Sequence, residues 1–205
     1  MIGADLIVIA KDPRPGRSKT RLCPPCLPDQ AAGLAEAALL DTLEVVRSVP
    51  ARRHILVLDG DDTRWRDCGF EIISQRGAGL DERLEHAFAE VDGPALLVGM
   101  DTPQLTGNLL RTGLQALSNH AAVLGPACDG GYWSVGLRTP APGAFRGVRM
   151  STADTLALQR ERFGELGLST YEHVTLRDVD TIADARAVAA QAPRSRFAEA
   201  LRELG

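Results

Sequence analysis

Short apolar runs alternate with amphipathic stretches along the first part of the chain. Residues 6–10 are apolar at every position, which predicts a strand that is buried on both faces. Residues 29–49 repeat apolar side chains at helical spacing and place Leu39, Leu43 and Val46 on one face. The chain therefore begins with a buried strand that is followed by a helix.

The same alternation continues to the C-terminus. A stripe with helical spacing predicts an amphipathic helix and consists of Leu80, Leu84, Ala87, Phe88 and Val91. Thr106 and Ser151 are expected to cap helices that reach residues 117 and 166. Further strands are predicted at 54–58, 70–74, 94–100, 121–125, 132–137 and 170–174, and two helices separated near Pro193 complete the chain. Strands that alternate with helices predict an α/β fold, a mostly parallel sheet with helices on both faces.

Length and composition favour a single domain that spans residues 1–205. The chain has 205 residues, of which 44% are hydrophobic, so it can bury a substantial core. Its net charge of −4 argues against a general nucleic-acid binder. It contains no apolar run long enough to span a membrane, and residues 1–5 lack the basic region of a signal peptide. A cytoplasmic location is therefore expected.

A strongly basic loop follows the first predicted strand. Pro13, Pro15 and Gly16 keep this loop out of a helix and let its backbone approach a ligand. Its five cations are Lys11, Arg14, Arg17, Lys19 and Arg21. Open α/β sheets bind ligands at the carboxyl ends of their strands, and Arg and Lys groups hold phosphate oxygens well. The loop therefore indicates an anion-binding site, with a merely solvated basic loop as the alternative.

Four cysteines are present, two of them with C-x-x-C spacing at Cys23 and Cys26. A thioredoxin-type site would place the first cysteine at a helix N-terminus, whereas the next predicted helix starts at Pro28. A zinc site would need further ligands, and Cys68 and Cys128 are isolated. We therefore interpret the pair as incidental loop cysteines, and whether they form a disulfide is left open.

Two acidic positions follow predicted strands and are candidate metal ligands. Asp101 comes directly after strand 94–100, and Asp180 lies in the segment Asp178-Val-Asp180 after the last strand. Mg²⁺ in proteins is held by one or two carboxylates together with water and phosphate oxygens. The alternatives are that Asp101 caps the turn that follows it and that Asp180 caps the next helix. Asp184 is more simply a first-turn helix residue.

Two glycine-rich connections also follow strands. Asp129-Gly130-Gly131 permits close backbone approach and is followed by the aromatic faces of Tyr132 and Trp133, although a simple hairpin turn would look the same. A second connection begins at Gln75 and includes two glycines within residues 75–79. Because these loops all follow strand ends, we expect them to meet along one edge of the sheet.

The motifs together resemble a known family. They are Ala10-Lys11-x-Pro-x-Pro-Gly16-x-x-Lys19-Thr-Arg21-Leu22, Gly99-x-Asp101-x-Pro103-x-Leu105-Thr106, Gly125-Pro-x-x-Asp129-Gly-Gly131-Tyr132 and Asp178-Val-Asp180-Thr181. In this order they are similar to a widespread bacterial family of GT-A-type transferases, many of them labelled glycosyltransferases. They also resemble the phospholactate guanylyltransferases of deazaflavin cofactor synthesis and, more distantly, the molybdenum cofactor guanylyltransferases. The resemblance covers roughly residues 6–184.

The resemblance implies a Rossmann-like, GT-A-type fold with a nucleotide-binding half and an acceptor-binding half. It implies Lys11, Lys19 and Arg21 as phosphate ligands and Asp101 and Asp180 as ligands of Mg²⁺ or Mn²⁺. The remaining expected nucleotide-binding residues are Gly16, Gln75 and Arg83, and the expected acceptor-binding residues are Asp129, Gly130, Gly131 and Tyr132. Asp81 departs from the family pattern, which usually has glycine there. A carboxylate beside a phosphate pocket argues against phosphate binding by Arg83.

The leading functional hypothesis is Mg²⁺-dependent transfer of a nucleoside monophosphate from a nucleoside triphosphate to a small anionic acceptor, a phosphate or carboxylate, with release of pyrophosphate. Lys19, Arg21, Asp101 and Asp129 are its expected catalytic residues. Positioning and charge neutralisation suffice for such a reaction, and the four histidines are expected to be structural. The partners are a nucleotide and a small-molecule acceptor, with a homodimer left open.

Two other functions compete with this one. In a glycosyltransferase the donor would be a nucleoside diphosphate sugar, and Asp129 would be the candidate general base. The five cations of the first loop favour the triphosphate, because a diphosphate sugar needs less positive charge. A catalytically inactive nucleotide-binding domain is the third option.

Overall fold

A seven-stranded sheet forms the centre of the protein. The structure is a computed structural model that describes residues 3–204. The strands are β1 Asp5–Lys11, β2 Arg53–Asp59, β3 Glu71–Ser74, β4 Ala95–Gly99, β5 Ala122–Pro126, β6 Tyr132–Leu137 and β7 Thr170–Glu172. Their order is β3-β2-β1-β4-β6-β5-β7. Only β6 runs antiparallel to its neighbours within this sheet, so the predicted mostly parallel sheet is confirmed.

Six α-helices surround the sheet in the described part of the chain. They are α1 Pro28–Arg47, α2 Leu80–Ala89, α3 Gly107–Ala116, α4 Thr155–Glu165, α5 Ile182–Gln191 and α6 Arg196–Glu203. A short 3₁₀ turn, Thr20–Leu22, precedes α1 and was not predicted. Within residues 3–204, none of the helices combines the length and the apolar content needed to cross a bilayer.

Strand residues alternate between two apolar clusters, one on each face of the sheet. In β1, Leu6 and Val8 belong to the cluster that includes residues of α1 and α3, whereas Ile7 belongs to the one that includes residues of α2. Leu39 of α1 and Phe88 of α2 are buried in these respective clusters. Each such side chain stabilises the fold by about 1.5–3 kcal/mol through its removal from water. This covering of both faces explains the continuous apolar runs in the sequence.

A third cluster attaches the C-terminal helices to α1. Leu34 of α1 is buried together with Val188 of α5 and Phe197 of α6, and Leu22 and Cys26 of the preceding loop join them. Because α1 buries residues on this side as well as towards the sheet, eleven of its twenty residues are buried. The cluster therefore anchors the C-terminal end of the basic loop through Leu22 and Cys26.

One predicted helix start is wrong. α4 begins at Thr155 after Asp154, and Ser151 has a left-handed backbone with φ of 59°. The Thr155 hydroxyl donates to backbone carbonyls of the preceding turn, including that of Arg149 at 3.0 Å. The predicted cap at Thr106 is confirmed, since its side chain accepts a hydrogen bond from the backbone N–H of Leu109.

The order of the strands creates a crevice at one edge of the sheet. The chain places β2 and then β3 on one side of β1, whereas β4 lies on the other side of β1. Open α/β sheets bind ligands outside the carboxyl ends of their strands where the connections diverge in this way. The segment that follows β7 reaches the same edge, because the backbone N–H of Val179 donates to the carbonyl of Asp101 at 2.9 Å.

Candidate functional site

A cleft of about 840 Å³ opens at the carboxyl ends of β1 and β4. The predicted site residues that line it are Lys11, Lys19, Arg21, Gln75, Arg83, Asp101, Asp129, Gly131, Tyr132 and Asp180. Gly16 and Gly130 do not line it. Gly16 lies at a turn with φ of +71°, whereas Gly130 packs so closely on the carbonyl of Ala153 that a Cβ atom would overlap it. The expected convergence of the loops on one edge is therefore present in the structure.

Lys19 connects the basic loop to the strand-end carboxylate. Its ammonium group lies 2.6 Å from Asp101 and also donates to the carbonyl of Val179, and its side chain is only 9% exposed. The backbone of Lys19 has φ of 51°, a left-handed conformation that costs a residue with a Cβ roughly 1–2 kcal/mol. Asp101 does not cap α3, whose cap is Thr106.

Arg21 makes the equivalent contact with the second predicted metal ligand. Its guanidinium lies 2.5 Å from the carboxylate of Asp180, and both side chains are accessible to solvent. Asp180 does not cap α5, because Thr181 and Asp184 form the capping box of that helix. The carboxylate therefore lines the cleft without a capping role and is paired with Arg21.

Gln75 and Arg83 line the cleft in a fixed arrangement. The Gln75 amide donates to the carbonyls of Ala10 at 2.7 Å and Val57 at 3.1 Å, which joins the ends of β1 and β2. Arg83 donates to the Gln75 amide oxygen at 3.0 Å and to Asp59 at 2.8 Å. The amide hydrogens of Gln75 are thus already used, and Arg83 presents a cation whose position is set by its partners.

The basic residues of the cleft come from the end of β1, the loop that follows it and α2. We call Lys11, Arg17, Lys19, Arg21 and Arg83 the basic half of the cleft. Arg14, the fifth loop cation, is instead paired with the buried Asp12 at 2.8 Å and does not line the cleft. Lys11 and Arg17 have no side-chain hydrogen bond or ion pair within the described residues, so they are free to meet an anion.

Two further carboxylates line the cleft. We call Asp129, Asp178, Tyr132 and the segment 150–153 its acidic half. One carboxylate oxygen of Asp129 accepts a hydrogen bond from the backbone N–H of Gly131 at 2.8 Å. Burial, followed by the charges of Asp129 and Asp180, raises the pKa of Asp178 to about 6. The sequence motif included Asp178, but no role was predicted for it, because its burial follows from tertiary packing.

Tyr132 and Ser151 define the wall of the acidic half. The Tyr132 hydroxyl donates to the side-chain oxygen of Gln159 at 3.2 Å and contacts the sulfur of Met150 at 3.6 Å. Burial raises the pKa of the Tyr132 hydroxyl. Ser151 and Lys19 are the two non-glycine residues with positive φ in the described chain, and both line the cleft. Such backbone conformations concentrate at functional sites.

All four cysteines are free thiols in the structure. Burial, together with the neighbouring Cys23, raises the pKa of the Cys26 thiol, which disfavours the reactive thiolate. Across residues 3–204, no three His, Cys, Asp or Glu side chains are grouped so that they could hold a metal ion. Any metal bound at the cleft therefore depends on fewer carboxylates and on ligand oxygens.

Solved structures share this fold. A protein from Desulfovibrio desulfuricans G20, provisionally named a nucleotide-diphospho-sugar transferase, is 28% identical with a TM-score of 0.89, covering 98% of this chain and 95% of the other. A CMP:2-keto-3-deoxy-manno-octonic acid synthetase complexed with CTP is 13% identical with a TM-score of 0.56, over 93% and 99%. Rv0371c from Mycobacterium tuberculosis H37Rv, in complex with manganese, is 21% identical with a TM-score of 0.55, over 91% and 97%.

The fold and the similarity to the protein from Desulfovibrio desulfuricans G20 indicate a transferase enzyme of the GT-A-like, Rossmann-like class. The predicted fold class and enzyme class are confirmed. Within this class the chain belongs to the family described as "Uncharacterized protein conserved in bacteria (DUF2064)", which matches residues 42–152. No curated protein matches the chain in sequence.

Proposed function

We propose that the protein is a Mg²⁺-dependent nucleotidyltransferase that moves a nucleoside monophosphate from a nucleoside triphosphate to an acceptor and releases pyrophosphate. One observation carries this proposal: five cations line the cleft that also contains Asp101 and Asp180, and two of them, Lys19 and Arg21, pair with these carboxylates. A triphosphate presents more negative charge than the diphosphate of a nucleotide sugar. Charge-assisted hydrogen bonds from Arg and Lys suit that group best.

The residues at the strand edge fit a hard divalent cation. Asp101 and Asp180 supply carboxylate oxygens, and the side chains of both are accessible, 52% and 38% exposed respectively. Oxygen donors select Mg²⁺ or Mn²⁺ over softer metals, and Mg²⁺ needs only one or two carboxylates when phosphates complete its shell. When bound, the cation would neutralise charge on the phosphate oxygens at the reacting centre.

Lys19 and Arg21 would change partners when substrate binds. In the structure each neutralises one of the proposed metal ligands, at 2.6 Å and 2.5 Å. A cation on these carboxylates would release both basic groups, which could then hold the β- and γ-phosphates that leave as pyrophosphate. Positioning of this kind lowers the barrier because the charges are already oriented in the ground state.

Glycosyl transfer is the second candidate. It is favoured by the name of the similar protein from Desulfovibrio desulfuricans G20 and by Asp129, one of whose carboxylate oxygens has no partner among residues 3–204. A carboxylate in that state could accept a proton from an acceptor hydroxyl. The number of cations in the basic half makes it the weaker candidate.

The two functions differ in the product that is released. The protein is incubated with Mg²⁺ and each of the four nucleoside triphosphates, and separately with nucleoside diphosphate sugars, against a panel of acceptors. We expect pyrophosphate from the triphosphate reactions, abolished by EDTA. Release of a nucleoside diphosphate from a sugar donor, without pyrophosphate formation in the first series, would establish glycosyl transfer instead.

A further inference from the structure

Arg14 belongs to the basic loop but does not line the cleft, so the proposed function gives its charge no role. Its guanidinium Nε donates to the carboxylate of Asp12 at 2.8 Å. The Asp12 side chain is only 2% exposed, whereas that of Arg14 is 47% exposed. Both residues occupy positions at which the motif Lys11-x-Pro-x-Pro specifies no residue. The pair is therefore a feature of this chain that the family resemblance does not explain.

Asp12 is also held by groups outside the loop. Its backbone N–H donates to the carbonyl of Asp59, the last residue of β2, at 2.9 Å. One of its carboxylate oxygens accepts a hydrogen bond from the indole N–H of the buried Trp65 at 3.0 Å. A Cβ atom at Gly60 would overlap the Asp12 side chain, so the chain after β2 packs directly against it. The Asp12 carboxylate is therefore a fixed point at the start of the loop.

The backbone of Arg14 holds the turn that follows it. Its carbonyl accepts hydrogen bonds from the N–H groups of Arg17 and Ser18, both at 3.1 Å. Its own N–H donates to the hydroxyl of Ser18 at 3.0 Å. Arg17 lines the cleft, and Lys19 follows the turn directly. The Arg14 side chain thus connects the buried Asp12 to the turn that carries basic groups into the cleft.

We propose, on the basis of the nucleotidyltransferase function above, that Asp12 and Arg14 are positioning residues for the triphosphate. Their ion pair holds the turn of residues 14–18 before the substrate binds, so that Arg17 and Lys19 are already oriented towards the phosphates. Leu22 anchors the other end of the loop. A loop that becomes ordered only on binding weakens affinity, and the release of one or two backbone residues corresponds to a loss of about tenfold.

Arg64 provides a matched control for Arg14. It also lies near the Asp12 carboxylate, at 3.6 Å, and its side chain is 46% exposed. Its other partners, Glu36 and the ring of Trp65, lie outside the basic loop. Arg14→Ala and Arg64→Ala therefore each remove one positive charge near the same carboxylate, but only the first releases the turn. An effect of net charge on nucleotide binding would be common to both variants.

The first measurement needs no substrate. Hydrogen–deuterium exchange is followed in the nucleotide-free protein for the amides of Arg17 and Ser18, with the amides of β4 as the reference for global opening. We expect exchange at least about tenfold faster in Arg14→Ala and unchanged in Arg64→Ala. Arg14→Lys should recover most of the protection, because its ammonium group can still pair with Asp12. Exchange in Arg14→Ala as slow as in the wild type overturns the inference.

The second measurement concerns the nucleotide. Each variant is titrated by calorimetry with the Mg²⁺ complexes of α,β-methylene analogues of the four nucleoside triphosphates, and with the matching monophosphates. We expect Arg14→Ala to weaken binding of the triphosphate analogue about tenfold and that of the monophosphate less than about twofold. Arg64→Ala should change both by less than about twofold, and Arg14→Lys should recover most of the loss.

The outcomes separate this inference from the proposed function. Faster exchange in Arg14→Ala with unchanged affinity for the triphosphate analogue overturns the inference and leaves the proposed function intact. Equal weakening by Arg14→Ala and Arg64→Ala also overturns it, because the effect would then belong to net charge. Failure of every triphosphate analogue to bind the wild type overturns the proposed function, and this inference with it.

Discussion

The two halves of the cleft differ in how their charged side chains are paired. In the basic half most charges already have partners: Lys19 with Asp101, Arg21 with Asp180, and Arg83 with Asp59. In the acidic half, neither Asp129 nor Asp178 has an ion pair within residues 3–204, although the charge of Lys19 partly offsets the raised pKa of Asp178. The first half can exchange its internal ion pairs for contacts with a charged substrate, whereas these two carboxylates have no ion pair to exchange.

Polar groups in the core follow the same division. The buried side-chain atoms without a hydrogen-bond partner in the described chain are on Thr102, Gln104, Ser134 and His173. All of them follow β4 in the sequence. Such a group costs about 1–3 kcal/mol while it lacks a partner, and the described chain before β4 has none of them. Groups of this kind often mark a functional requirement.

Loss of Asp101, at the boundary between the halves, is expected to have the largest effect. Asp101→Ala should lower turnover at least about 10²-fold, because it removes a charge that positions the metal. Steady-state rates over a range of Mg²⁺ concentrations measure the loss, with the exposed Asp67→Ala as control. Turnover close to that of the wild type at limiting Mg²⁺ would remove Asp101 from the site.

Arg21 tests the assignment of the basic half to the terminal phosphates. Arg21→Ala should weaken binding of a nucleoside triphosphate about tenfold and leave monophosphate binding little changed. The lower end of the range for charge-assisted contacts applies because the Arg21 side chain is 75% exposed.

Arg21→Lys should recover part of the loss, since an ammonium group lacks the bidentate fork. Calorimetric titrations of both nucleotides provide the comparison, and the exposed Arg186→Ala is the matched control. Equal weakening of mono- and triphosphate binding would mean that Arg21 holds the α-phosphate.

His173 tests the cost of burying a polar side chain in the part of the chain that follows β4. Burial lowers its pKa, and its ring packs on Trp133 and Tyr171 with Nε2 facing Gly113. As the pH falls through about 6.5, the unfolded chain takes up a proton that the folded protein does not, so stability should decrease.

Denaturant unfolding between pH 7.5 and 5 should therefore show a steeper loss for the wild type than for His173→Gln. The difference should correspond to at most about one proton taken up on unfolding. The exposed His86→Gln controls for the loss of a histidine. Identical pH slopes for the wild type and His173→Gln would rule out this contribution.

The smallest effect is expected at the cysteine pair beside the basic loop. Cys23→Ser combined with Cys26→Ala should keep activity within about twofold and lower stability by about 1 kcal/mol, since Cys26 is buried in the α1–α5–α6 cluster. Alanine avoids placing a hydroxyl in that cluster. Activity assays and metal analysis test the variant, and loss of bound zinc or of turnover would show that the motif has a function.

Much of the architecture could be predicted because it depends on local patterns. The buried strand of residues 6–10 and the helix at 29–49 each follow from the spacing of apolar residues. The position of Asp101 at a strand end follows from the run before it. The prediction at Ser151 was wrong. A serine before a helical pattern resembles an N-cap in the sequence, but here the backbone of Ser151 is left-handed and the helix begins only at Thr155.

The pairing of charges in the cleft is the instructive case. The basic loop and Asp101 are visible in the sequence and indicate a charged substrate. The sequence does not show which cation meets which carboxylate. Only the fold pairs Lys19 with Asp101 and Arg21 with Asp180.

By itself, the sequence determined the order of strands and helices, the basic loop and the strand-end carboxylate, because periodicity and residue type act over a few neighbouring residues. The tertiary structure alone decided the antiparallel position of β6, the left-handed backbone of Lys19 and the ion pairs of Lys19 with Asp101 and of Arg21 with Asp180. Lys19 and its partner carbonyl of Val179 are 160 residues apart in the chain. Contacts at that separation depend on which strands pair in the sheet, and no local pattern specifies that pairing.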